Sequence, residues 1–308
     1  MLIWPPYADE VSLRLIRSQS LLPGWSIPIV FVVGAISQYA GAAIGVFLFD
    51  TTEPATVAWL RAAAAAVALL AWRRPWRRRW SRRQAGVALM FGLVTIGMNI
   101  AIYEAISRIP LGTAVAIEFL GPTAVAALGS RRRRDFAAVG LACVGVVLLA
   151  GVEFDANLTG VLFALLSAAM WACYILVGKR VADTGDGLDS LAVGMSLGAV
   201  ILTPAILIPQ ALIDASVFAD SRTWLLGLCI GLLSTAIPYA LDQLVFVQIG
   251  SAKFALLLAL LPVTATLIGI GVLRQIPTIL EILGIALVVV ALLLSARGST
   301  DAQPETPP

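Results

Sequence analysis

The chain has 308 residues, of which 60% are hydrophobic and only 13% are charged, with a net charge of +3 and a mean hydropathy of +0.95. An average soluble domain has about 45–50% apolar and about 25% charged residues, so this composition excludes an ordinary soluble protein and indicates an integral membrane protein. The sequence contains no histidine, the commonest general base and metal ligand, and we therefore expect neither a metal nor a cofactor.

The hydropathy pattern predicts an all-α integral membrane protein with ten spanning helices. A spanning helix needs about 20 mainly apolar residues. Ten stretches meet this condition: 27–48, 54–72, 85–107, 110–129, 135–152, 158–178, 188–208, 223–247, 251–273 and 277–296. Residues 1–26 form a mixed N-terminal segment, and the polar, proline-rich tail 297–308 is predicted to be disordered.

The basic residues predict how the helices are oriented. If the N-terminus is cytoplasmic, 17 of the 21 Lys and Arg residues fall on the cytoplasmic side, including the runs "RRPWRRRWSRR" and "RRRRD". This satisfies the positive-inside rule and predicts that both termini are in the cytoplasm. The tryptophans within the first run are typical of the lipid headgroup layer, so we expect no nucleic-acid partner.

Two segments of the chain are similar. "AVAIEFLGPTAVA" (114–126) and "FALLLALLPVTAT" (254–266) place Pro122 and Pro262 at matching positions, 140 residues apart. The segments "VGLACVGVVLLAG" and "LGIALVVVALLLS" follow in the same order with an offset of 144. Similar segments at nearly equal offsets predict an internal repeat.

The repeat predicts two halves of five helices each, residues 27–152 and 158–296. Because five is an odd number, the second half must enter the membrane from the opposite side, so the repeats are inverted. Inverted repeats with interrupted helices at matching positions are typical of transporters that work by alternating access, with a substrate site near the membrane midplane.

Two opposite charges are predicted at similar depth. Glu118 lies eight residues after Pro110 and Arg61 seven residues after Pro54, which places them roughly 12 Å and roughly 10 Å into the membrane at 1.5 Å per residue. Charged residues inside spans usually face a cavity or a partner. The pair is either a structural ion pair or a functional site in which Glu118 carries a proton or binds an amine and Arg61 sets its charge or holds a carboxylate.

Two further features accompany these charges. Gly121 and Pro122 follow Glu118 within one turn and predict a helix break beside it, where backbone must be buried or line a cavity. Asp242 lies late in the eighth span, with Tyr239 on the same helix face, and either a functional or an interfacial role is open.

Four motifs resemble a known family. They are "GMN" (97–99), "PLGTAVAIEFLGP" (110–122), "SAAMWACYILVGKR" (167–180) and "STAIPYALD" (234–242). They are similar to EamA-type members of the drug/metabolite transporter superfamily, and most similar to its threonine/homoserine exporter branch. The resemblance implies two inverted EamA repeats of five helices in the plasma membrane and proton-coupled export of small metabolites, often amino acids.

The resemblance also implies site residues. Positions that match the branch motifs are Arg61, Asn99, Glu118, Gly121, Pro122, Ser234, Pro238 and Tyr239. The resemblance leads us to expect glutamate at position 242. Asp242 has the same negative charge on a shorter side chain. Gln275 stands where many members have a glutamate, so a role that needs that acid cannot operate here.

These observations favour a secondary active exporter of threonine- or homoserine-like amino acids or related metabolites. The alternative within transport is an exporter of another metabolite or of a toxic compound. The alternative from another class is an intramembrane lipid-modifying enzyme, but no catalytic motif supports it and we predict that the chain is not an enzyme. The expected partners are a small-molecule substrate, the proton and the lipid bilayer, and a homodimer is left open.

Overall fold

The computed structural model describes residues 23–128, 133–182 and 187–300, and all regular elements within these ranges are helical. Of the predicted terminal segments, residues 1–22 and 301–308 lie outside the described ranges. The first part of the chain forms α1 Ser26–Val46, α2 Pro54–Arg73, α3 Arg82–Ile106, α4 Leu111–Glu118, α5 Leu120–Leu128 and α6 Arg133–Ala182. The second part forms α7 Gly187–Asp214, α8 Ser221–Gly231, α9 Ile237–Leu258, α10 Leu260–Leu273 and α11 Ile279–Thr300.

The helices confirm the prediction of an all-α membrane protein. Within the described residues, nine segments are long and apolar enough to cross a membrane. The remaining predicted span, 135–152, is the first part of α6, which is kinked at Asn157 (φ −159°, ψ 72°) before the sixth span begins. The turn predicted between the eighth and ninth spans falls inside α9, with candidate spans Ser221–Asp242 and Lys253–Leu273 on either side.

Local sequence explains where several helices start. Pro54 lies in the first turn of α2 and Pro110 precedes α4, positions at which the missing N–H of proline costs no helical hydrogen bond. Ser81 and Gln84 form a capping box at the start of α3. At one end of the bundle, Arg73 and Asp189 form an ion pair of 2.8 Å that joins α2 to α7.

Glycines allow the helices around the centre to approach closely. A Cβ added at Gly41 would overlap Ser234, and one added at Gly45 would overlap the ring of Tyr103. A Cβ at Gly121 would overlap the carbonyl oxygen of Ala168, so α5 packs directly against the backbone of α6. Small residues at such contacts are the usual means of bringing membrane helices together.

Two helices are interrupted at matching positions. α4 ends at Glu118 and α5 begins at Leu120, while α9 ends at Leu258 and α10 begins at Leu260. The interrupting residues, Phe119 and Ala259, keep right-handed helical φ (both −65°) with ψ near −10° and −15°. The first interruption therefore falls three residues before Pro122, and Gly121 lies inside α5 rather than in unwound backbone.

Proline explains both interruptions. A proline inside a helix has no N–H to donate to the carbonyl four residues earlier, and its ring crowds that carbonyl. For Pro122 the affected carbonyl belongs to Glu118, and for Pro262 it belongs to Leu258. Each interruption therefore frees one backbone acceptor in the middle of a spanning segment.

Candidate functional site

A cavity of about 230 Å³ lies at the centre of the helices. It is bounded by α1, α2, α3, α4, α6, the start of α7 and the segment from the end of α8 to α10. Its polar lining consists of Gln38, Tyr39, Arg61, Thr95, Asn99, Tyr103, Glu118, Tyr174, Ser234, Thr235, Tyr239 and Asp242. The remaining wall is mainly aliphatic and also contains the aromatic side chains of Phe91, Trp171 and Phe254.

The structure brings most of the predicted site residues together. Arg61, Asn99, Glu118, Tyr239 and Asp242 all line this one cavity, and Pro238 lies on its wall. They come from helices far apart in the sequence, so the fold assembles the group. Their roles in binding or coupling stay predictions.

The other three predicted residues, Gly121, Pro122 and Pro262, do not line the cavity. They determine the packing and the hydrogen bonding of the backbone beside it. Gly121 makes the close contact with Ala168 described above, and it leaves no room for a side chain. Pro122 and Pro262 are both buried and free the carbonyls of Glu118 and Leu258. Both Glu118 and Leu258 line the cavity, which places the two interruptions at its edge.

Glu118 is buried, with 8% of its surface exposed, and one hydroxyl group contacts it. Ser167 on α6 donates to Glu118 Oε1 at 2.5 Å. The same hydroxyl lies 3.2 Å from the carbonyl oxygen of Met98 on α3. A serine hydroxyl has a single hydrogen, so Ser167 can donate to only one of these two acceptors at a time.

Arg61 finds its acceptors on the segment between α8 and α9. Its Nε donates to Thr235 Oγ1 and its Nη2 to the carbonyl oxygen of Ser234, each at 3.0 Å. The Ser234 carbonyl is available because its helical partner would be residue 238, which is proline and has no N–H.

A π-helical turn, Leu232–Ala236, frees a second carbonyl in the same segment. The N–H of Ile237 donates to Leu232 instead of Leu233. The Leu233 carbonyl accepts from Ser37 Oγ on α1 at 2.9 Å. Side chains from α1 and α2 therefore satisfy backbone groups that the irregular helix leaves free, as π-turns at functional sites commonly require.

The structure does not form the ion pair between Arg61 and Glu118 that was one of the two alternatives. Among the described residues no ion pair joins them, since Arg61 binds the Ser234–Thr235 segment and Glu118 binds Ser167. The two charges face the same cavity from different walls. The similar depth of Arg61 and Glu118 correctly grouped them at one cavity. The guanidinium of Arg61, however, donates to the free Ser234 carbonyl and not to Glu118.

The opposite part of the cavity contains a tyrosine pair and the second acid. Tyr174 and Tyr239 have their hydroxyl oxygens 3.3 Å apart, and Tyr174 stacks on Phe91 with ring centroids 4.7 Å apart. Asp242 lines the cavity one turn beyond Tyr239, and within the described part of the chain its carboxylate has no hydrogen bond or ion pair.

Gln275 lies outside the cavity and has a structural role. Its Oε1 accepts a hydrogen bond from the N–H of Leu111, the first residue of α4, at 3.0 Å. Nearby, Glu281 accepts from Thr113 Oγ1 at 3.0 Å and completes a capping box with Thr278 at the start of α11. The connection between α10 and α11 thus fixes the end of the helix that carries Glu118.

Sequence reasoning missed several residues in or beside the cavity. Ser167, Tyr103, Thr235 and Gln38 are common residue types in membrane helices and carry no charge that marks them. Thr95 and Thr235 could have been found, because they are separated by the same 140 positions as the two prolines and both line the cavity. The same offset relates Asn99 to Tyr239.

A helical fold that crosses the membrane many times around a central cavity with one guanidinium and two carboxylates suits a membrane transporter. The comparisons with known proteins agree. The model of the EamA-like transporter family matches residues 158–297. The chain is 35% identical to the threonine/homoserine exporter RhtA of Salmonella typhimurium (strain LT2) and 34% identical to that of Escherichia coli (strain K12), in both cases over 91% of this chain and 92% of the relative.

The chain belongs to the EamA-like transporter family, as its motifs predicted. It is a multi-pass membrane transporter and not an enzyme. A solved crystal structure that is 18% identical has the same fold, with a TM-score of 0.53 over 90% of this chain and 98% of that chain.

Proposed function

We propose that the protein is a secondary active exporter of small amino acids, of the threonine or homoserine type, across the plasma membrane. The observation that carries this proposal is the central cavity, in which one guanidinium and two carboxylates face the same space. An amino acid in its zwitterionic form offers a matching negative and positive group. The volume, about 230 Å³, lies below the ~300–1,000 Å³ of typical pockets for drug-sized ligands and suits a small metabolite.

The relatives support the choice of substrate. Those from Salmonella typhimurium and Escherichia coli are named threonine/homoserine exporters, and they align with nearly the whole chain. Threonine and homoserine both add a hydroxyl group to the zwitterion. Asn99, Thr95 and Thr235 provide neutral hydrogen-bonding groups in the cavity for such a hydroxyl.

Glu118 is the proposed proton carrier. The hydrogen bonds of Ser167 depend on whether Glu118 is ionised or protonated. When Glu118 is ionised, it only accepts, and Ser167 donates to it. When Glu118 is protonated, it can donate to Ser167, whose hydrogen is then free for the Met98 carbonyl 3.2 Å away. Protonation would therefore reverse the direction of the hydrogen bond between α4 and α6 and add one between α6 and α3.

Alternating access is the proposed mechanism of movement. The interruptions at Phe119 and Ala259 are where two spanning segments can bend beside the cavity. The predicted inverted repeat would let the two halves exchange roles as the cavity opens to one side and then the other. The basic loops predict that the side with both termini is cytoplasmic.

Counterflow in liposomes that contain only the purified protein tests this proposal. Liposomes loaded with unlabelled threonine should accumulate external radiolabelled threonine or homoserine, and an imposed pH gradient should change the rate. If no small amino acid shows counterflow, the proposed substrate class is wrong. If counterflow occurs but a pH gradient drives no net movement, amino-acid transport stands and proton coupling is wrong.

A further inference from the structure

We infer that Tyr103 and Arg61 form a subsite for a carboxylate group within the cavity. The inference rests on the proposed function, because the carboxylate in question is that of the exported amino acid. Neither the motifs nor the predicted roles of the other residues pointed to Tyr103. Only the structure shows that Tyr103 lies beside Arg61.

The guanidinium of Arg61 is held in place but is only partly used. It has five N–H groups, and Nε and Nη2 each donate one hydrogen to the Ser234–Thr235 segment. Its other three N–H groups make no hydrogen bond of normal geometry among the described residues, and the residue lines the cavity. Held guanidinium groups bind carboxylates with two parallel hydrogen bonds, and little side-chain freedom is lost when the fork is already fixed.

Tyr103 supplies a second donor beside this group. The side chain is fully buried, and among the described residues its hydroxyl oxygen makes no hydrogen bond of normal geometry, although the side chains of Arg61 and Ser234 lie close to it. The Cζ atom of Arg61 lies 5.6 Å from the centroid of the Tyr103 ring. Gly45 leaves room for that ring, and Phe49 packs edge-on to it at 6.0 Å, so the hydroxyl is held in place.

A buried hydroxyl without a partner needs an explanation. Buried polar groups in native proteins are nearly always hydrogen-bonded, and one left unpaired is destabilising. Tyr103 also lines the cavity, so a ligand there can supply the missing acceptor. A carboxylate accepts hydrogen bonds through both oxygens and can use Tyr103 and Arg61 together.

The charges around the cavity favour a carboxylate over a phosphate. Among the described lining residues Arg61 is the one cation, while Glu118 and Asp242 are acids. A phosphate with two negative charges would meet an excess of acid. A zwitterion places its carboxylate at the Arg61–Tyr103 subsite and its ammonium toward the acids, without adding net charge.

The test compares threonine with threoninol, which has the same amine and side chain but lacks the carboxylate. Each compound is used to inhibit threonine counterflow by the wild-type protein and by Tyr103→Phe, which keeps the ring and removes only the hydroxyl. We expect Tyr103→Phe to weaken inhibition by threonine by about five- to thirtyfold and to leave inhibition by threoninol unchanged. Arg61→Lys, which keeps the charge and loses the fork, should shift the same ratio in the same direction.

Tyr39→Phe is the matched control, because Tyr39 is also a buried tyrosine that lines the cavity. It should leave the ratio of the two inhibition constants at the wild-type value. If Tyr103→Phe weakens threonine and threoninol equally, or affects neither, the subsite is wrong. The wild-type protein separates the two proposals, since absent threonine counterflow there contradicts the proposed function itself, whereas an unchanged ratio in Tyr103→Phe contradicts only the subsite.

Discussion

The two interrupted helices have the same backbone design and different chemistry. In both, one residue separates two helical segments three positions before a buried proline, and the two prolines are 140 positions apart. The last helical residue before the interruption lines the cavity in each case. In the first half that residue is Glu118, and in the second half it is Leu258.

This difference shows that the interruption of the helix and the presence of an acid beside it are separate properties. The interruption follows from proline alone and occurs with or without an acid beside it. A bend in the helix therefore belongs to the architecture of both halves, while the group that we propose to carry a proton belongs to only one. Neighbouring residues follow the same division, since Asn99 in the first half corresponds by position to Tyr239 in the second.

The prediction with the largest effect concerns whether the halves are inverted. The connection between the second and third helices contains Arg79, and the connection between the seventh and eighth contains Ala219, both of them exposed. In a cysteine-free background, Ala219→Cys should react with an impermeant thiol reagent added to intact cells, and Arg79→Cys should react only after permeabilisation. The contrast should be all or none. Equal reaction of both cysteines in intact cells would mean that the halves are not inverted.

The second prediction compares the residues at the two interruptions. Glu118→Gln keeps the shape of the side chain and removes its proton exchange, so pH-driven threonine export should fall at least about tenfold, equivalent to about 1.4 kcal/mol. Residual counterflow should become insensitive to pH. The measurement is uptake into liposomes between pH 5.5 and 8.5, at equal amounts of reconstituted protein.

Leu258→Gln is the matched control for this change. It places the same amide at the corresponding position of the second half, where no acid is lost. The pH dependence of counterflow should stay as in the wild type. Loss of pH dependence in both variants would show that any polar change at an interruption disturbs transport, and Glu118 would lose its special role.

The third prediction concerns packing, where the effect is smaller. Gly121 packs against the backbone of α6, whereas the corresponding residue of the second half is Leu261. Gly121→Ala should destabilise the protein by about 1–3 kcal/mol, the usual cost of overpacking, because the new methyl group overlaps the Ala168 carbonyl. The measurement is thermal unfolding in detergent. Gly271→Ala, at a position with open space around it, should leave the melting temperature nearly unchanged.

Much of the fold could be predicted because its causes are local. About 20 apolar residues make a spanning segment, and a proline inside one interrupts it, whatever the neighbouring helices are. The positions of Pro122 and Pro262 thus indicated the two interruptions within a few residues. The grouping of Glu118 and Arg61 in one cavity also followed from depth alone.

The partners of these residues could not be predicted because they depend on which helices are neighbours. Arg61 binds a carbonyl 173 residues further along the chain, and that carbonyl is free only because Pro238 follows it by four positions. Ser167 reaches Glu118 across 49 residues. A serine or tyrosine in an apolar helix gives no signal of this kind in a single sequence, and so neither Ser167 nor Tyr103 was predicted.

The hydrogen bond from Leu111 to Gln275 has a consequence for how the chain is made. The two residues are 164 positions apart, so the first turn of α4 has no cap until Gln275 has been added. At about 5–20 residues per second, a ribosome needs about 8–33 s to cover that distance. Glu281, the partner of Thr113, is 168 positions away and is therefore synthesised slightly later than Gln275. The helix that carries Glu118 therefore gains these contacts among the last steps of translation, and a nascent chain that stops before α11 would leave it without Glu281.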